Sequence, residues 1–365
     1  MEFIMSKMKL LSGYKIGDIE LKNRIVMAPM TRSRAFKDNI PNENAALYYK
    51  QRASAGLIIT EGTQISPEGI GYLWTPGIYT HEQIAEWKKV VSSVHEAGGK
   101  IFLQLWHVGR ISHSDLLSGE PPLAPSDIRA EGKTYTQNGW QEFSTPKAMS
   151  KDDISRTIED FRQAAVKAKE CGFDGVDIHG AFGYLIDQFL CSGTNIRTDE
   201  YGGSVENRAR FALEVVDAVV SVWGDYRVGI KLSPSNLHND MHDDNPKETF
   251  AYLLNKLNDY NLAYVHIMEP QGDVSLKENY LSKTAEYFRP IYKGTLISNA
   301  GHTRESGEEF LTKGWADLIS YGALYISNPD LVSRFENNYP LTEPDKKKFY
   351  GGGDEGYIDY LDYTP

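Results

Sequence analysis

Residues 150–184 read SKDDISRTIEDFRQAAVKAKECGFDGVDIHGAFGY, and one periodicity gives way to another inside them. Ile154, Ile158, Phe161, Ala165 and Ala168 share one face of a 3.6-residue helix, with Ser150 at the N-cap position. Gly175–His179 then reads as a short buried strand without alternation, as parallel strands covered on both faces do. The same strand-then-helix unit recurs on either side. Further strands are predicted at Arg24–Ala28, Leu57–Thr60, Lys100–Gln104, Arg227–Leu232, Ala263–Ile267, Thr295–Ser298 and Asp317–Tyr321. Between them, Ile84, Trp87, Val90, Val91 and Val94 form one helical face, behind Thr80 as N-cap. Val205, Ala209, Ala212, Val216 and Val219 form another after Ser204; Phe250, Leu253, Leu254 and Leu257 form a fourth. Eight such units in 365 residues imply an α/β fold closed into a (β/α)8 TIM barrel. No G-x-G-x-x-G follows the first strand, which argues against an open dinucleotide-binding sheet. A single domain over 1–365 is expected, with residues 106–150 as a long loop insertion after the third strand. A connection of that length, rich in Pro, Gly, Ser and Thr, reads as a lid.

Composition narrows the function. Hydrophobic residues are 41% and charged residues 24%, as in a soluble protein with a large core. No apolar run approaches the ~20 residues needed to span a bilayer, and Met1–Leu10 has no apolar leader segment, although Met5 and Met8 leave the start open. The net charge of −11 and the lack of a basic stripe argue against nucleic acid as a partner. Cys171 and Cys191, the only cysteines, exclude a four-cysteine zinc or iron–sulfur site built from this chain and suit a reducing cytoplasm. The expectation is a cytoplasmic monomer or homodimer.

In such a barrel the chemistry sits at the C-terminal strand ends. Those ends hold Pro29-Met30-Thr31, Gly62, Gln104, Trp106, His179, Tyr184, Lys231, Ala300-Gly301 and Gly322-Ala323. No serine or cysteine there has an evident base, and no His/carboxylate cluster offers a metal site. The set suits a planar cofactor with polar edges, its phosphate at the last two strands. The run His238–Asp244 is metal-like in composition, but it falls in a polar connection after the fifth strand, where a solvated loop is expected; no metal is assigned.

Several longer motifs then carry a resemblance: Ala28–Arg32, Gln104–Arg110, His179-x-x-x-x-Tyr184, Arg197–Gly203 with Glu206–Arg208, Ile326–Leu331 and Phe349–Gly353. Together they resemble the Old Yellow Enzyme family of FMN-dependent ene-reductases, nearest the subclass with nitroester, maleimide and plant oxophytodienoate reductases. The resemblance implies non-covalent FMN, NADPH or NADH as reductant, and an α,β-unsaturated carbonyl as substrate. It also implies residue roles. Pro29, Met30 and Thr31 would line the flavin, Gly62 and Gln104 its pyrimidine edge, and Lys231 the N1/C2 carbonyl region. Ala300, Gly301, Gly322 and Ala323 would hold the phosphate. His179 would hydrogen-bond the substrate oxygen and lie against the flavin, and Tyr184 would supply the proton. Tyr72, Trp106, Phe182 and Tyr350 would wall the substrate pocket.

Three positions depart from that pattern. Phe182 stands where the family has Asn or His as a second donor to the substrate oxygen. Lys231 stands for an arginine, and Ala323 for an arginine that reaches the phosphate. These changes imply a more apolar pocket and looser FMN binding, and they motivate an alternative: a flavin-binding barrel with weak or specialised activity. A second alternative, an FMN-free lyase using Lys231 as a Schiff base, rests on that buried amine alone.

Overall fold

The computed structural model describes residues 8–365; the expectations for Met1–Lys7 lie outside that range. All eight predicted strands form. They are β1 (Ile25–Met27), β2 (Leu57–Ile59), β3 (Ile101–Trp106), β4 (Gly175–Gly180), β5 (Val228–Leu232), β6 (Tyr264–Met268), β7 (Leu296–Asn299) and β8 (Leu318–Tyr321). Each pairs in parallel with the next, and β8 returns to β1 through Ile319 opposite Ile25, which closes the barrel. β3 runs two residues past the predicted end at Gln104, because Thr63–Gln64 pairs with Leu105 and Trp106 and continues the ladder.

The helices follow the apolar faces. His81–Glu96 starts at Thr80 in a capping box with Gln83, and Lys151–Cys171 starts at Ser150 in a capping box with Asp153. Ser204 caps Val205–Trp223 through the Asn207 N–H. Their buried faces form the outer core against the strands.

The barrel interior is a separate, smaller core. An antiparallel hairpin, Tyr14–Ile16 with Ile19–Leu21, brings Ile16, Ile19 and Leu21 against Val26, Leu57, Ile59, Phe102, Tyr264 and Leu318. Phe102 and Tyr264 fill this space with centroids 5.8 Å apart. Glycine is required beside them: a Cβ on Gly229 would lie 2.2 Å from the Tyr264 ring. Small residues opposite large ones close this end by packing.

The 106–150 connection is ordered. It contains a hairpin, Lys133–Thr136 with Gly139–Glu142, and a parallel pair, Leu123–Ala124 with Lys147–Ala148.

Candidate active site

At the end of β4 the chain makes a tight turn over Ala181–Tyr184, with the Tyr184 N–H donating to the Ala181 carbonyl at 3.3 Å. Both central residues have positive φ, Phe182 at 63° and Gly183 at 78°. That is the geometry of a type I′ turn, which favours Asn-Gly. A phenylalanine at φ > 0 is strained by ~1–2 kcal/mol, so the turn needs outside support. The Phe182 N–H donates to Ser233 Oγ (2.8 Å) and the Gly183 N–H to Asp187 Oδ2 (2.8 Å). Asn239 Nδ2 donates to the Phe182 carbonyl (2.8 Å). The Phe182 ring stacks on His238 with centroids 4.8 Å apart.

This turn presents Tyr184 to His179. Their rings meet edge to face at 5.0 Å, and both residues are under 10% exposed. Trp106 lies parallel to His179 at 6.2 Å and to Tyr72 at 5.8 Å, and the Tyr72 and Tyr184 hydroxyls are 3.3 Å apart. The four predicted residues Tyr72, Trp106, His179 and Tyr184 thus form one aromatic wall. Burial, and Lys231 beside it, push the His179 imidazole well below its ordinary value, so it is neutral at pH 7 and carries one N–H. Burial pushes the Tyr184 phenol well above 10, so it keeps its proton.

Lys231 sits opposite His179 in the β4–β5 register, and Asp177 lies on the same strand as His179. Burial lowers Lys231 to about 8 and raises Asp177 to about 6, so both carry charge at neutral pH. Gln104 Nε2 donates to Asp177 Oδ2 at 2.8 Å. Gly62 backs the wall: a Cβ there would come within 2.7 Å of the Trp106 indole.

Pro29, Met30 and Thr31 follow β1 and are half-buried at the mouth. Ala300, Gly301, Gly322 and Ala323 line a cavity of about 510 Å³ at the ends of β7 and β8. Ala300 and Gly301 both have positive φ (79° and 73°), which turns the chain there. Among the described residues Arg304 is the one Lys or Arg lining that cavity; its Nε donates to the Phe335 carbonyl at 2.8 Å and its Nη1 lies 3.7 Å from Glu305.

The residues fit FMN. His179 Nδ1 and Trp106 Nε1 are buried at the mouth without a partner among the described residues, as polar atoms meant for a ligand would be. The glycine-lined cavity lies where a phosphate is bound in such barrels.

Tyr350 is 65% exposed, on a C-terminal segment tied across the mouth by two arginines. Arg32 donates to the carbonyls of Phe349 (2.9 Å) and Gly356 (2.7 Å), and Arg34 to those of Lys348 (3.0 Å) and Glu355 (3.1 Å). Two of the quoted motifs, Ala28–Arg32 and Phe349–Gly353, are thereby in contact. Sequence reasoning missed this strap, the Asp187–Ser233 support of the turn, and Asn239. Only the Phe-Gly pair, an odd choice for such a turn, signalled that support was needed.

A closed (β/α)8 barrel with a glycine-edged cavity at β7–β8 and a neutral His/Tyr pair at the mouth matches the arrangement expected of a flavin-type oxidoreductase barrel. The chain belongs to the NADH:flavin oxidoreductase / NADH oxidase family, whose model matches residues 9–342. It is 44% identical over 357 residues to 12-oxophytodienoate reductase 1 of Oryza sativa subsp. japonica, covering 97% of this chain and 92% of that one. It is 44% identical over 359 residues to 12-oxophytodienoate reductase 2 of Arabidopsis thaliana, covering 96% and 95%. Among solved structures, morphinone reductase superposes with a TM-score of 0.93 at 45% identity, covering 98% and 97%. An Old Yellow Enzyme homologue from Zymomonas mobilis does so with 0.92 at 40%, covering 97% and 99%. Morphinone reductase has also been solved with tetrahydroNAD. The chain is therefore an NAD(P)H:flavin oxidoreductase of the Old Yellow Enzyme family, and the Schiff-base lyase reading falls away. Among the described residues, no helix is long and apolar enough to cross a membrane.

Proposed function

We propose that this enzyme reduces the activated C=C bond of α,β-unsaturated carbonyl compounds, with His179 holding the carbonyl oxygen and Tyr184 supplying the proton. The observation that carries the reading is the pair itself: a neutral imidazole with an unpartnered nitrogen, 5.0 Å from a neutral buried phenol, at one strand end. FMN, where bound, would supply the hydride chemistry that links NADPH or NADH to the substrate Cβ. Pro29, Met30, Thr31, Gly62, Gln104 and Lys231 would border its ring, and Ala300, Gly301, Gly322 and Ala323 its phosphate.

As hydride reaches Cβ, negative charge grows on the carbonyl oxygen. An N–H of His179 aimed at that oxygen stabilises the charge more in the transition state than in the ground state. Lys231 adds positive potential from the adjacent strand. Tyr184 transfers its proton to Cα as general acid, and the Tyr72 hydroxyl 3.3 Å away gives a route for reprotonation. Tyr72, Trp106, Phe182 and Tyr350 would wall the substrate, with the 106–150 insertion as a lid. Both cysteines are buried and unpaired, which supports a reducing, cytoplasmic setting.

Phe182 favours a second reading. Its ring offers no donor and is turned onto His238, so a flavin-binding barrel with weak or specialised activity fits the same geometry. Steady-state NADPH consumption with 2-cyclohexenone or a maleimide, against an oxygen-only blank, separates the two. Under the main reading Tyr184→Phe lowers enone turnover ~10²-fold or more, the range for a lost general acid, and leaves oxygen consumption intact. Equal effects on both acceptors would contradict it.

A further inference from the structure

The loop after β5 reaches into the site at one place. Asn239 has a left-handed backbone (φ 60°), and its carbonyl accepts from Nη2 of the buried Arg110 at 3.3 Å; the same nitrogen bonds the Asp240 carbonyl at 2.6 Å. The loop packs directly on the strained turn. A Cβ at Gly183 would lie 2.9 Å from the Asn239 Cβ and 2.7 Å from the Met241 Cγ. One amide hydrogen of Asn239 is used on the Phe182 carbonyl, at the centre of the turn whose last residue is Tyr184.

We propose that Asn239 is a positioning residue for proton delivery, tethering the Ala181–Tyr184 turn and holding the Tyr184 hydroxyl toward the substrate. This rests on the reading of Tyr184 as the proton donor. When the Tyr184 O–H bond breaks, the proton forms the new Cα–H bond and the electron pair stays on the phenol oxygen; hydride from the reduced cofactor supplies the other hydrogen and both electrons. A phenolate buried there needs a donor. The groups facing Tyr184 are the phenols of Tyr72 and Tyr350 and the neutral imidazole of His179, while His238 and Asp240 flank Asn239, with Asp240 paired to Arg110 at 3.7 Å. The Tyr72 hydroxyl, 3.3 Å away, supplies that donor, and the turn that Asn239 tethers sets the distance between the two oxygens. Phe182, with no polar group on its side chain, cannot give that support.

The test uses FMN-loaded enzyme in stopped flow, following flavin reduction by NADPH and reoxidation by 2-cyclohexenone separately. Asn239→Gly keeps the left-handed backbone, Asn239→Asp keeps the shape but replaces the donor with an acceptor, and Asn239→Ser keeps a short donor. Reduction should stay within about twofold of wild type in all three. Reoxidation should slow about tenfold in Asn239→Gly and further in Asn239→Asp, with a larger solvent isotope effect, and Asn239→Ser should recover part of the loss. In a Tyr184→Phe background the same substitutions should have no further effect, the signature of two residues acting on one step. Wild-type reoxidation rates in Asn239→Gly, or an equal loss with and without the Tyr184 hydroxyl, would overturn the proposal. If wild-type enzyme is reduced by NADPH but not reoxidised by any enone, the functional reading fails first and takes this one with it.

Discussion

Phe182→Asn separates what the turn needs from what the substrate needs. Asparagine is at home at φ 63° in a type I′ turn, which returns ~1 kcal/mol of the backbone strain. The substitution also removes the ring stacked 4.8 Å from His238, a contact worth ~0.5–1.5 kcal/mol. The two nearly cancel, so the melting temperature should move by only a few degrees in either direction. Ligand binding has no such cancellation. The new amide adds a second donor beside His179, worth ~1.5–3 kcal/mol toward a phenolate oxygen, or about 10–150-fold in affinity. Titration of the FMN-loaded enzyme with a para-substituted phenol, read by its long-wavelength charge-transfer band, measures this directly. Unchanged affinity in a well-folded variant would refute the view that the pocket lacks a donor at residue 182.

Two other outcomes follow from the same geometry. Ala323→Arg should tighten FMN by roughly 10–100-fold in fluorescence titration of the apoprotein, since among the described residues Arg304 alone brings a guanidinium to the cavity and it is already engaged; full retention of FMN by wild type at nanomolar dilution would contradict the premise. Asp187 is raised by burial to about 7, so its neutral form is favoured on folding; the stability this gives is present below the unfolded value near 4 and is lost as pH rises through 7. About three pK units correspond to ~4 kcal/mol, so Asp187→Asn should flatten the fall in melting temperature between pH 5 and pH 8; an unchanged slope would count against a buried, protonated carboxyl.

The barrel was legible because its evidence is repeated eight times and local. Strand runs buried on both faces and single-faced helices leave a period in the chain, and Thr80, Ser150 and Ser204 mark helix starts by their side-chain chemistry. β3 was read two residues short because its extension depends on pairing with Thr63–Gln64, which no local pattern announces. The interior plug was missed for the same reason: Ile16, Ile19 and Leu21 look like any short hairpin until the barrel around them exists. Family motifs pointed to His179, Tyr184, Gly301 and Gly322, and the fold brings these to the same end of the barrel. Asn239 and the Arg32/Arg34 strap stayed hidden, since each acts through backbone carbonyls far away in sequence, and carbonyl acceptors carry no residue signature.

The proposed activity depends on a bound flavin that accepts electrons from a nicotinamide and yields them to an enone. The visible spectrum of the purified protein tests this most directly, recorded anaerobically before NADPH, after NADPH, and after 2-cyclohexenone. The expected result is a yellow protein with flavin absorbance that bleaches with NADPH and returns with the enone. A colourless protein that gains no absorbance on incubation with FMN, or a bleached spectrum that no enone restores, would contradict it.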